Sequence, residues 1–294
     1  MSERLLDPSV LAAIGRLDLV ARNVVEGFLI GLHKSPYRGF AQEFAAHRPY
    51  IAGDEVRRID WRLYARTDRL YVKEFEDESN APVRLLLDVS GSLNYAPYKV
   101  SKLAYARYLL AALAYLTVRQ NDRVGLTCFG EDIRVKLPAR SGQRHLHLIL
   151  AALEKVEAKG ATRLKSCVLR EAAQWQRRGL IIIVSDLYDE PGEIVDAVAR
   201  IGRAGHDIVV FHLLDHTEKE LEGRGTYEIR DLETGATLVA DLARVRRHYI
   251  EQVEKMCGFF RTEFARMGAS YVELDPSAPL DKALASFLRQ RKQK

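Results

Sequence analysis

The sequence predicts an α/β fold, a doubly wound, mostly parallel sheet flanked by helices, with an N-terminal extension in front and a projecting hairpin. Three observations predict it. From Val83 onwards short apolar runs alternate with long amphipathic stretches, the pattern of a sheet covered by helices on both faces. Within those stretches apolar residues recur every three or four positions, as one face of a helix requires. The 294 residues, 47% of them hydrophobic, are enough for one large domain and an extension. The expected division is 1–79 for the extension and 80–294 for the α/β domain.

The candidate strands are 83–88 (VRLLLD), 123–129 (RVGLTCF), 180–185 (LIIIVS), 207–214 (DIVVFHLL) and 269–274 (ASYVEL). The weaker stretch 133–138 follows the turn-forming Gly130, Glu131 and Asp132, so it reads as an antiparallel edge strand. Over 98–119, Leu103, Ala106, Leu110, Leu113 and Thr117 share one helical face. Further helices are expected at 143–157, 164–178, 191–203 and 279–291. The longest, 243–267, carries Val245, Tyr249, Val253, Met256, Phe260, Phe264 and Met267 as a core-packing stripe. Two β-prone runs around Glu233, Thr234 and Gly235 predict a hairpin over about 226–241, a recognition element or a plain excursion. Residues 1–79 follow no alternation: a helix near 8–32, then an irregular segment rich in Arg, Asp and aromatics.

Composition excludes several classes. The longest apolar run, Leu109 to Val118, is too short to span a bilayer. The first residues lack the basic, apolar and small-residue regions of a secretory signal, so a cytoplasmic location is expected. Cys128, Cys167 and Cys257 are odd in number and far apart, which suggests buried reduced thiols and neither a disulfide framework nor a zinc site. His145 and His147 have no ligand cluster beside them. A net charge of +5 from 45 basic and 40 acidic residues is a mixed surface, and nucleic-acid binding is not prompted by it.

The first strand ends in Asp88-Val89-Ser90-Gly91-Ser92, which sends three oxygen-bearing side chains from the carboxyl edge of the sheet at alternate positions. The loop Gly160-Ala161-Thr162 and the strand end Ser185-Asp186 reach the same edge, so Thr162 and Asp186 can close a ring of oxygens. Such a set suits a hard cation, Mg²⁺ or else Mn²⁺ or Ca²⁺. With only two carboxylates among five ligands the ion stays electrophilic, and a carboxylate from a protein partner is a favourable further ligand. The short string alone is common in turns and helix caps. Its place after a strand, joined in chain order by the Thr and the second Asp, is what makes the constellation specific.

Asp88-x-Ser90-x-Ser92, Thr162 and Asp186 together resemble the metal-ion-dependent adhesion site of von Willebrand A domains, with all five positions filled. The segment before it is similar to the signature of the bacterial domain family of unknown function 58, DUF58. The matching residues are Arg38-Gly39, Gln42-Glu43-Phe44, Gly53 through Arg62, Ala65-Arg66-Thr67 and Tyr71 through Glu76. The resemblance spans roughly residues 35–275. It implies a von Willebrand A-like fold, a non-enzymatic binding role, and partnership with MoxR-type AAA+ ATPases as adaptor or co-chaperone. Many members carry membrane-spanning helices ahead of the signature, which this sequence does not show.

Arg57, Arg58, Arg62, Arg66 and Arg69 lie among Asp54, Glu55, Asp60, Asp68, Trp61 and Tyr64. With Trp61, they form either a docking face for an acidic partner or a phosphate-binding patch, or else an internal ion-pair network that Trp61 anchors; the near-balance of charges favours the last. The rival functions are a metal-dependent hydrolase or nuclease using Asp88 and Asp186, and a nucleic-acid-binding protein using the segment Arg57–Arg69. Phosphoryl chemistry on two metals relies on more bridging carboxylates than this set offers. No GxxxxGK[ST] loop is present for ATP hydrolysis.

Overall fold

The computed structural model describes residues 7–34, 47–49, 64, 70–73, 81–221, 223 and 225–292. These fall into two units, residues up to 31 together with 81 onwards, and 32–80. In the smaller unit β1 (His47–Pro49) pairs antiparallel with β2 (Tyr71–Lys73), His47 opposite Lys73.

The larger unit is built on six strands: β3 (Val83–Asp88), β4 (Val124–Phe129), β5 (Ile133–Arg140), β6 (Leu180–Ser185), β7 (Asp207–Leu213) and β10 (Ser270–Leu274). Their order is β10-β7-β6-β3-β4-β5, parallel throughout except for β5, which runs antiparallel to β4. This is the doubly wound, mostly parallel sheet that the sequence predicts. β4 and β6 are buried along their whole length, as strands covered on both faces must be. The edge strand β5 alternates between half-buried and exposed positions, which is why its signal in the sequence is weaker. The chain leaves β3 towards β4 and later returns to β6 on its other side. The point where winding reverses is therefore the β3/β6 boundary, and the crevice for a ligand opens at its carboxyl end.

The helices are α1 (Pro8–Ile14), α2 (Leu17–Lys34), α3 (Lys102–Arg119), α4 (Gln143–Lys155), α5 (Leu164–Ala172), α6 (Pro191–Arg203), α7 (His216–Glu220), α8 (Leu242–Arg266) and α9 (Asp281–Lys292). The single helix expected near 8–32 is two, because Gly15 at φ 72° closes α1 in the left-handed conformation. Helix α3 begins at 102 rather than 98, since the Ser101 side chain accepts from the Ala104 N–H and so caps the helix there. Helix α5 stops at Ala172, short of 178; beyond it Trp175 lies beneath the Arg84 guanidinium, 4.9 Å from the ring centre. The hairpin appears as β8 (Thr226–Arg230) and β9 (Thr237–Asp241). All three cysteines are buried and free. Among the described residues no helix is long and apolar enough to cross a membrane.

One face of the sheet packs Leu86, Ile181, Ile183, Ile208 and Val210 against α5, α6 and the C-terminal part of the α8 stripe, Met256, Phe260 and Phe264, while Val245 at its start is exposed. Phe264 of α8 is fully buried, stacks on Phe260 at 5.5 Å and lies 5.7 Å from Tyr271. Phe264→Ala is expected to cost about 3–5 kcal/mol. Guanidinium denaturation should show a lower midpoint with an unchanged slope.

Candidate metal centre

The centre forms where three chain segments leave the carboxyl edge of the sheet. β3 ends in Asp88, and Ser90 opens a single 3₁₀ turn over Gly91–Asn94. Asp88 Oδ1 accepts the Ser90 N–H at 2.9 Å, which folds the loop back over the strand end. Asp88 Oδ2 accepts the Ser185 hydroxyl at 2.6 Å and the Thr162 hydroxyl at 3.3 Å. The hydroxyls of Ser90 and Ser92 hydrogen bond at 3.0 Å. The 160s loop is tied on by the backbone: Gly91 N–H donates to the Gly160 carbonyl at 2.7 Å and Lys159 N–H to the Val89 carbonyl at 3.0 Å.

Asp186 follows β6 directly, and its backbone is held from behind. A carbonyl only accepts, so His212 Nε2 donates to the Asp186 carbonyl at 2.9 Å and His212 Nδ1 accepts from the Tyr271 hydroxyl at 2.6 Å. Burial keeps this imidazole neutral, lowering its pKa to about 4 against the attraction of Asp186. The next residue, Leu187, stands at φ 55°, a strained position for a branched side chain that often marks a functional turn.

The structure thus brings Asp88, Ser90, Ser92, Thr162 and Asp186 to one place, all buried, Asp88, Ser90 and Asp186 completely. Burial pushes Asp88 up to about 7, the Asp186 charge adds to the rise, and the hydroxyls of Ser185 and Ser90 with the Ser90 N–H offset part of it. Three residues join the cluster that the sequence did not single out. Lys102 Nζ donates to Asp186 Oδ2 at 3.1 Å and to Glu218 Oε1 at 2.6 Å. The hairpin tip brings in Glu233, whose carboxyl is raised by burial first and by the Asp186 charge second, with Ser92 and Ser90 opposing.

Of the four carboxylates gathered here, Asp186 and Glu218 share the ammonium of Lys102. Among the described residues, Asp186 Oδ1 and Glu233 Oε1 are buried with no hydrogen-bond partner. Buried charged oxygens without donors are costly and are ordinarily paired or bound to a metal. A set of carboxylates and hydroxyls with orphaned oxygens fits a hard divalent cation. Asp88, Ser90, Ser92, Thr162 and Asp186 are the residues that would hold it.

A second trio of ligand types, Asp215, His216 and Asp275, lies nearby in space. Its carboxylates are already used as caps: Asp215 accepts from Thr217 N–H and hydroxyl at the start of α7, and Asp275 accepts from Ser277. Arg57, Arg58, Trp61, Arg62, Arg66 and Arg69 lie outside the described residues.

A family model described as protein of unknown function DUF58 matches residues 46–256. An uncharacterized protein of Mycobacterium tuberculosis (strain ATCC 25618 / H37Rv) is 28% identical over 268 residues, 90% of this chain and 80% of that protein. Among solved structures, conserved hypothetical protein BatB from Bacteroides thetaiotaomicron is 22% identical with a TM-score of 0.53, over 72% of this chain and 98% of that one. An aerotolerance-related membrane protein from Bacteroides fragilis is also 22% identical, with a TM-score of 0.51, over 71% of this chain and 99% of that one. These two likenesses concern the fold.

Proposed function

This chain belongs to the DUF58 family, and we propose that it is a non-enzymatic protein-binding module whose contact with its partner runs through a divalent metal ion, Mg²⁺ in the first instance. The observation that carries the reading is the orphaned Oδ1 of the fully buried Asp186, in a pocket of hydroxyl and carboxylate oxygens at the switch point of the sheet. When bound, the ion would supply an electrophilic position for a carboxylate of the partner. The chain's own part is to fix the oxygens: the Ser90 N–H and the Ser185 hydroxyl orient Asp88, Lys102 and His212 orient Asp186, and the Gly160–Thr162 loop is bound to the Asp88–Ser92 loop. A MoxR-type AAA+ ATPase is the partner that the family resemblance implies.

Titration calorimetry with Mg²⁺ or Mn²⁺ is expected to show one site per chain. Affinity should fall at least about tenfold in the double variant Ser90→Ala, Ser92→Ala, because both hydroxyls leave the oxygen shell. Association with the MoxR-type ATPase should weaken in EDTA and in Thr162→Ala, while circular dichroism stays unchanged. Binding that persists in chelator at full strength, or a metal-bound structure with the ion elsewhere, would sink the reading.

A further inference from the structure

We propose that Glu233 is this chain's own ligand to the metal centre, carried by the tip of the β8–β9 hairpin into the position that a partner's carboxylate would otherwise take. The proposal rests on the metal-dependent reading and deepens it, because the partner must then displace the hairpin before it can bind.

The tip is built to present this side chain. Asp231 Oδ1 accepts the backbone N–H of Glu233 at 2.8 Å and of Thr234 at 3.3 Å, and Asp231 Oδ2 accepts the Thr234 hydroxyl at 2.7 Å. The turn is closed by Asp231 N–H to the Ala236 carbonyl at 2.8 Å and Gly235 N–H to the Asp231 carbonyl at 2.9 Å, with Gly235 at φ 75°. An Asp side chain that caps its own turn in this way fixes the direction of the residues that follow.

The centre is shaped to receive it. Gly91 stands between Ser90 and Ser92, and a Cβ there would collide with the Leu232 carbonyl oxygen and come within 3.3 Å of Glu233 Cα. A glycine at this point lets the hairpin backbone approach the serine loop. An exposed turn would leave a glutamate pointing to water, yet Glu233 turns inward within range of the Asp186 charge, and its Oε1, like Asp186 Oδ1, is buried without a donor. Two carboxylates that each keep one oxygen without a donor repel each other, whereas a divalent cation between them would satisfy both oxygens.

The rest of the hairpin is lightly held. β8 is exposed along its whole length, and Leu238 and Val239 of β9 are each 67% exposed. Lifting the tip therefore uncovers little apolar surface, as expected of an element that opens on binding. A carboxylate from the partner replaces one from the hairpin, like for like.

The test uses the full chain as wild type, Glu233→Gln and, as a control on exposed β8, Glu228→Gln. It combines Mn²⁺ calorimetry with hydrogen exchange at the amides of residues 231–236. Wild type and Glu228→Gln should gain exchange protection at the tip when Mn²⁺ is added. Glu233→Gln should bind Mn²⁺ about 10–100-fold more weakly and gain no protection. If wild type binds Mn²⁺ and Glu233→Gln keeps either the same affinity or the same protection, this inference fails and the metal-dependent reading stands. If wild type binds no Mn²⁺, both fall.

Discussion

Lys102→Met is expected to lower the unfolding free energy by about 3–5 kcal/mol, because it leaves buried carboxylates without their cation. Lys102 and Asp186 have side chains only 1% and 0% exposed, and Glu218 only 11%. Tyr188 and Tyr95 add ring faces 4.9 and 5.5 Å from the ammonium. Burial opposes the charge on Lys102, yet Asp186 and Glu218 together raise its pKa above the ordinary value, so it is held as a cation. The same lysine breaks a local rule, since it is the first residue of α3, where the helix dipole disfavours positive charge. Compensation comes from Asp186 and from Glu218, whose other oxygen accepts the Asp215 N–H in a capping box at the start of α7. The methionine fills similar volume, so the loss reports charge rather than packing. Urea denaturation in EDTA is the measurement. Adding Asp186→Asn should recover part of the loss, with a coupling of about 0.5–3 kcal/mol. A single-variant loss under about 1 kcal/mol would mean that the pair behaves as an exposed one in solution.

How much of this was legible in the sequence depends on where each signal lives. β3 and β6 stand at their expected limits, 83–88 and 180–185, because an unbroken apolar run is a local property. The five candidate ligands were legible for a related reason: each is fixed to the end of a strand or to a short loop, so chain order alone assigns them to one sheet edge. Lys102, Glu218 and Glu233 were not. A lysine opening a helix and a glutamate in a Glu-Thr-Gly turn read as solvated charges, and only tertiary placement turns them inward. Glu233 did have a trace in the sequence, the glycine between the two serines, but that glycine shows its purpose only when Leu232 is seen against it. The misplaced helix limits have the same origin in single residues: Gly15 splits one expected helix and Ser101 delays another.

Asp88→Asn is expected to move two quantities in opposite directions. In EDTA the variant should be more stable than wild type by about 0.5–2 kcal/mol, the ordinary gain from a single stabilising substitution. In saturating Mg²⁺ it should lose the increment that wild type gains, about 2.7 kcal/mol at a metal concentration one hundred times Kd. The first effect follows from charge. Burial pushes the Asp88 carboxyl up to about 7 and the Asp186 charge adds to the rise, so a carboxylate here weakens the metal-free fold and a neutral amide of the same shape does not. Geometry is kept, since the asparagine oxygen still accepts the Ser90 N–H and its amide can donate to the Ser185 or Thr162 hydroxyl, each of which also accepts. The second effect follows from coordination, because an amide facing those hydroxyls with its nitrogen offers the ion no anionic oxygen. Thermal unfolding in EDTA and in Mg²⁺ measures both. A group that served only to cap the loops at the sheet edge would give the reverse: Asp88→Asn less stable in EDTA, with the metal increment intact or absent from wild type as well. Opposed signs are what separate an ion site, where the empty fold carries an unfavourable charge so that the loaded one can use it, from a cap whose charge serves the fold alone.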